Sequence, residues 1–125
     1  MAISNPLIVV IDDDTAVRNS LEFSLGIEGF AVHTYESAED VLQTAELSDC
    51  RCLIVDQNMS GMTGLELISS LRRRGVEIPA VLISGHVTPM LTTQARACGV
   101  PVVEKPFPGG ELLELIRAAV GAQPH

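Results

Sequence analysis

Residues 7–13 read Leu7-Ile-Val-Val-Ile-Asp-Asp13. Five aliphatic residues in a row, four of them β-branched, leave no polar face to turn toward water. Such a run forms a strand covered on both sides, the habit of parallel sheets sandwiched between helices. Cys52-Leu-Ile-Val-Asp56 and Pro79-Ala-Val-Leu-Ile83 read the same way, and Ala31–Tyr35 and a short Val100–Glu104 complete five strands. Between them, apolar residues fall at helical spacing. Val17, Leu21 and Leu25 make one face, closed by Gly26 and Gly29. Ala38, Val41, Leu42 and Ala45 make a second, with Ser37 as N-cap and Asp40 three residues on. Leu65, Ile68 and Leu71 make a third, which runs into Arg72-Arg73-Arg74-Gly75; a basic last turn followed by glycine is the chemistry of a helix C-terminus. Thr88–Cys98 reads as a weaker helix that Pro89 interrupts early, and Leu112, Leu115, Ile116 and Val120 form the last face. The alternation is (βα)5: an α/β domain with a doubly wound, five-stranded parallel sheet and right-handed crossovers.

With 125 residues the chain makes one domain, residues 1–125 with a core over about 7–120. The formal charge of −8 repels phosphate backbones and speaks against direct nucleic-acid binding. The apolar run at Leu7–Ile11 is too short for a signal peptide, and no stretch is long enough to span a bilayer. Cys50, Cys52 and Cys98 are odd in number and lack zinc-ligand spacing, so they read as reduced thiols of a cytoplasmic protein.

Polar residues gather where the strands end. The first strand ends at Asp12-Asp13, the third at Asp56, the fourth at Ser84 and the fifth at Glu104-Lys105. Open parallel sheets bind ligands outside the carboxyl ends of their strands, so residues distant in sequence converge on one rim. Two carboxylates about 4 Å apart repel by roughly 4 kcal/mol at a protein-surface dielectric. Asp12, Asp13 and Asp56 together therefore call for a cation, and carboxylates, a carbonyl and a phosphate oxygen are the ligands Mg²⁺ takes. Lys105 adds a point charge and Ser84 a hydroxyl donor. Phosphoryl transfer needs positioning and charge neutralisation, and an Asp carboxylate is a known nucleophile for it.

Four stretches then resemble a family: Leu7 to Asp13, Asp56-Gln-Asn-Met-Ser-Gly-Met-Thr-Gly64, Ile83-Ser-Gly-His86 and Glu104-Lys-Pro-Phe107. In this order, each at a strand end, they resemble the receiver domain of two-component response regulators, nearest to the nitrogen-fixation and LuxR-output branch and to chemotaxis receivers. The resemblance implies a flavodoxin-like strand order 2-1-3-4-5. It implies that Asp56 accepts a phosphoryl group from a sensor histidine kinase or phosphotransfer protein, that Asp12, Asp13, Asp56 and the backbone carbonyl of Asn58 hold Mg²⁺, and that Ser84 and Lys105 contact the phosphoryl oxygens. It also implies a cis Lys105–Pro106 peptide, rate tuning at Asn58 and His86, and output to an effector protein, an output domain or a phosphorylation-dependent homodimer. The chain departs from the family at Ser60, usually proline, and at Val102, usually aromatic, and Gly99–Lys105 is one residue short. Val102 cannot perform the inward swing of the usual aromatic switch.

Two other functions fit parts of this pattern. Val102 suits a degenerate receiver that acts as a phosphorylation-independent interaction module. Asp12-x-Asp14 suits a haloacid-dehalogenase-type phosphatase with Asp12 as nucleophile and Asp14 as acid–base; the lack of a later acidic pair and the short chain oppose it. Otherwise Asp14 is first-turn charge at a helix N-terminus, and His86 is a loop residue beside the site.

Overall fold

The structure, a computed structural model, describes residues 5–44, 46–105 and 110–121. Five strands alternate with five helices: β1 (Leu7–Ile11), α1 (Thr15–Ile27), β2 (Ala31–Tyr35), α2 (Ala38–Thr44), β3 (Cys50–Asp56), α3 (Gly64–Arg73), β4 (Ala80–Ser84), α4 (Pro89–Ala97), β5 (Val102–Glu104) and α5 (Glu111–Gly121). All four strand pairings are parallel, and the order is β2-β1-β3-β4-β5. The expected doubly wound sheet and its order are therefore present. Ala45, the Lys105–Pro106 peptide and the turn through Phe107 and Pro108 lie outside the described residues.

Strand alternation sorts the apolar residues into two cores. Val9, Ile11, Leu53, Val55 and Leu82 point to one face, where they meet Ala38 and Val41 of α2, Leu67, Ile68 and Leu71 of α3 and Leu91 and Ala95 of α4. Ile8, Val10, Ile54, Val81 and Ile83 point to the other, against Leu21 and Leu25 of α1 and Leu112 and Ile116 of α5. Each fully buried aliphatic side chain contributes about 1.5–3 kcal/mol relative to exposure.

Several boundaries differ from the sequence reading. β3 starts at Cys50, two residues early, because Cys50 pairs with Leu7 across an irregular register step. β5 is only three residues long. Pro101 has no N–H to give, and the Val100 N–H is taken by Ala95 at the end of α4. Pro89 does not interrupt α4. It occupies the first helical position, where a missing N–H costs nothing, and Thr88 caps it by accepting from the Leu91 N–H. Asp14 sits one position before the first turn of α1, as its N-cap, accepting from the N–H groups of Ala16 and Val17.

Cys50 and Cys52 belong to opposite cores, so their thiols cannot join in a disulfide. Burial pushes Cys50 up to about 11 and Cys52 to about 12, while Cys98 is exposed at the end of α4. Iodoacetamide at pH 8 should alkylate one thiol per native molecule within minutes and the other two only as fast as the domain opens, read by intact mass.

Candidate functional site

The register of the sheet assembles the site. Ile11 lies beside Val55 and Asp56 beside Ile83, so Asp12 and Asp56 leave neighbouring strands at the same height. Ser84 lies beside Glu104, and the Lys105 N–H donates to the Ser84 carbonyl at 2.8 Å, which brings Lys105 to the same rim. Here the chain turns outward from β1 to β2 on one side and to β3 on the other, the switch point of the sheet.

Asp12, Asp56 and Ser84 are 0%, 2% and 0% exposed, the polar side chains that are buried among the described residues. Asp12 is held at four atoms. Its N–H donates to the Tyr35 carbonyl, its carbonyl accepts from Arg18, Oδ1 accepts from the Asp14 N–H at 2.9 Å and Oδ2 accepts from Lys105 Nζ at 3.0 Å. Lys105 Nζ also lies 3.2 Å from Asp56 Oδ1, but off the line of a hydrogen bond. Asp56 Oδ1 is consequently a buried oxygen without a hydrogen-bond donor among the described residues. Burial, and then the charge of Asp12, push the Asp56 carboxyl above the usual carboxylate range; Lys105 and the Asn58 N–H oppose this and do not win. Burial would lower Lys105, but the hydrogen bond and charge of Asp12 and the charge of Asp56 outweigh it, so Lys105 is raised and stays protonated.

Asp13 is exposed and joins Asp12 and Asp56 in a cluster whose ligand oxygens all lie within 4.8 Å of one another. Oxygens around Mg²⁺ at about 2.1 Å stand roughly 3–4 Å apart, so modest closure of these side chains suits that ion. The Asp56 Oδ1 that accepts no hydrogen bond, and three carboxylates of which Lys105 pairs with two, are the demand that a divalent cation meets. The donor set thus fits Mg²⁺.

Ser84 and its loop form the second half of the site. The Ser84 hydroxyl accepts from Asn58 Nδ2 and from the His86 N–H and donates to the His86 carbonyl, each at 3.1 Å. One donor and two lone pairs are all a hydroxyl has, so Ser84 is saturated. His86 takes part through its backbone, and the Asn58 amide makes a side-chain contact with Ser84 that the sequence does not announce, beyond the metal-ligand carbonyl and the rate tuning that the resemblance implies for Asn58. Asn58→Ala keeps that carbonyl and removes one of the three bonds. Amide exchange over Gly85–Val87 should accelerate severalfold while α3 exchanges as before, a result hydrogen-exchange mass spectrometry can read.

Val102 is half-buried, and together with Val87 of the loop after β4 and with Thr92, Val100 and Pro101 it lines a cavity of about 360 Å³. Asp14, which the phosphatase reading required as acid–base, spends its carboxylate on the α1 cap.

A parallel sheet ordered 2-1-3-4-5, with an acidic cluster and a lysine at its switch point, is the layout of a phosphoacceptor signalling domain. A family model described as the response regulator receiver domain matches residues 8–117. The chain is similar to the response regulator protein TodT of Pseudomonas putida, at 38% identity over 95% of this chain and 53% of TodT. It is similar to the transcriptional regulatory protein FixJ of Azorhizobium caulinodans, at 37% identity over 90% of this chain and 54% of FixJ. Among solved structures it is similar to the FixJ-N crystal structure, at 33% identity and a TM-score of 0.83, covering 100% of this chain and 99% of that one. The chain belongs to the response regulator receiver family, the signalling domains of two-component systems. It spans about half the length of the curated relatives it matches.

Proposed function

We propose that Asp56 is the phosphoacceptor of this receiver, with a sensor histidine kinase or phosphotransfer protein as donor. The observation that carries this reading is the buried Oδ1 of Asp56 at the switch point, which accepts no hydrogen bond among the described residues and is flanked by Asp12 and the Lys105 ammonium. An Asp56 oxygen attacks phosphorus in line, the P–N bond of the phosphohistidine breaks, and the imidazole leaves as a proton is supplied from solvent. The products are an acyl phosphate and a neutral histidine. Asp12, Asp13, Asp56 and the Asn58 carbonyl would hold Mg²⁺, which supplies charge neutralisation to the transferring phosphoryl group. Lys105 pairs with a phosphoryl oxygen. The chain catalyses only its own phosphorylation and dephosphorylation, and no other reaction is assigned to it.

Ser84 is the sensor of the product. To donate to a phosphoryl oxygen its O–H must leave the His86 carbonyl, which frees the loop after β4. Val87 of that loop and Val102 share the cavity on the α4–β5 side, a packing route for the signal that needs no aromatic switch. Output then passes to an effector, an output domain or a second copy, by population shift. The charge of −8 supports a protein partner rather than nucleic acid, and among the described residues no helix is long and apolar enough to cross a membrane, which agrees with a cytoplasmic site of action.

The test is incubation with Mg²⁺ and acetyl phosphate or phosphoramidate, followed by intact mass and peptide mapping. One added phosphate at Asp56 supports the reading. No uptake in the wild type would favour a phosphorylation-independent module, and label at Asp12 would move the nucleophile.

A further inference from the structure

Arg18 is the fourth residue of α1. A cation there faces the positive end of the helix dipole, which the Asp14 cap offsets only in part, since α1 has no further acidic residue in its first turn. Among the described residues no carboxylate lies within ion-pair distance of Arg18. Its guanidinium instead reaches back over the helix start. Nη1 donates to the Asp12 carbonyl at 2.7 Å, and Nη2 donates to Thr15 Oγ1 at 3.0 Å. The planar fork is thus fixed at both arms, a geometry that lysine cannot reproduce.

The Asp12 carbonyl belongs to the peptide plane that ends at the Asp13 Cα. A trans peptide is rigid, so the direction of that carbonyl sets where Asp13 departs. Asp12 needs little help, since both its carboxylate oxygens are engaged. Asp13 is exposed, and its carboxylate makes no hydrogen bond among the described residues. Its direction rests on the backbone before it.

We infer that Arg18 is the positioning residue of the metal loop, aiming Asp13 at the cation through the Asp12 carbonyl. This rests on the reading that Asp12, Asp13 and Asp56 hold Mg²⁺. Two physical effects of Arg18 on Mg²⁺ have opposite signs, which makes the inference decidable. As a positioning group it tightens binding; as a nearby positive charge it weakens it. Groups that orient metal ligands are typically worth 10–100-fold in affinity.

The experiment is calorimetric Mg²⁺ titration of wild type, Arg18→Ala, Arg18→Lys, Asp13→Asn and the Arg18→Ala/Asp13→Asn double variant. Arg18→Ala should bind about 10-fold more weakly, and Arg18→Lys severalfold more weakly although its charge is kept. In the Asp13→Asn background, removing Arg18 should change affinity by less than about 2-fold, because the arrangement acts through Asp13. Equal or tighter binding by Arg18→Ala, or a full 10-fold loss in the Asp13→Asn background, overturns the inference. If the wild type itself binds no Mg²⁺, the metal reading falls and this inference with it. If the wild type binds and Arg18→Ala binds as tightly, this inference falls alone. Should Arg18→Ala melt too low to titrate, Thr15→Val, which removes the anchor of the second arm, should weaken binding about 2–4-fold; unchanged affinity there also overturns it.

Discussion

Asp56→Asn should take up no phosphate from acetyl phosphate and, in metal-free buffer at pH 7.5, should melt at a higher temperature than the wild type. The first effect follows from losing the nucleophilic oxygen. The second follows from what the carboxylate costs. Asp56 is 2% exposed, its Oδ1 accepts no hydrogen bond among the described residues, and its pKa is raised first by burial and then by Asp12. A carboxyl whose pKa is raised on folding gives its full stability below the unfolded value, near pH 4, and loses it as pH rises through the folded value. The wild type loses that contribution as pH rises, whereas an uncharged amide never had it to lose. The stability gap should therefore be open at pH 7.5 and close as pH falls toward 4. Relief of this kind commonly amounts to about 1–2 kcal/mol, or roughly 4–8 °C in a domain of this size. Mg²⁺ should reverse the order, because it stabilises only the protein that binds it well. Thermal melts of both proteins with and without EDTA read all of this. A metal-free Asp56→Asn protein less stable than the wild type would mean that the Lys105 ion pair, not the strain of the carboxylate, dominates at this site.

What the sequence made legible was whatever depends on a run of residues. Continuous aliphatic stretches announced buried parallel strands, and the acids at their ends announced the rim. What stayed hidden depends on atoms that no pattern encodes. That Asp14 caps α1 while the Asp12 carboxylate takes the Asp14 N–H and Lys105 is decided by where the helix begins. Pro89 looks like a breaker until one sees that it stands first in its helix. The shortness of β5 follows from which carbonyl the Val100 N–H meets. The Asn58 amide reaching Ser84, 26 residues away, and the Arg18 fork on the Asp12 carbonyl are contacts set by the three-dimensional fold, not by spacing along the chain. Ser60 and Val102 were visible as departures, yet only the cavity beside Val102 suggests how a signal leaves without an aromatic.

Gly64→Ala sets a local rule against a packing constraint, and the constraint should win. Gly64 opens α3, where helix propensity alone would favour alanine by about 1 kcal/mol. A Cβ on Gly64 would stand 2.5 Å from the carbonyl oxygen of Asp56 and 2.8 Å from Leu82 Cδ1. The leucine can turn aside, but the carbonyl belongs to the last residue of β3, locked by the sheet. The helix start is equally fixed. Thr63 and Glu66 form a capping box, the Gly64 N–H donates to the Gln57 carbonyl, and the Leu65 N–H donates to Gln57 Oε1. Relief therefore requires either α3 to retreat from the sheet or Asp56 to tilt. Overpacking against backbone commonly costs about 1–3 kcal/mol and sometimes more, so the melting temperature should fall by roughly 5–15 °C. Gly26→Ala is the control: it lies in α1 with nothing within 4 Å of the added carbon, and should stabilise by up to about 1 kcal/mol. Because the clash falls on Asp56 itself, the folded fraction of Gly64→Ala should also phosphorylate more slowly, by about 10-fold or more, since small misplacements of a nucleophile are expensive. Melts and single-turnover uptake, normalised to folded protein, test both halves. A Gly64→Ala protein as stable and as fast as the wild type would show that α3 can slide along β3, and that the close approach of this glycine is not what sets the position of Asp56.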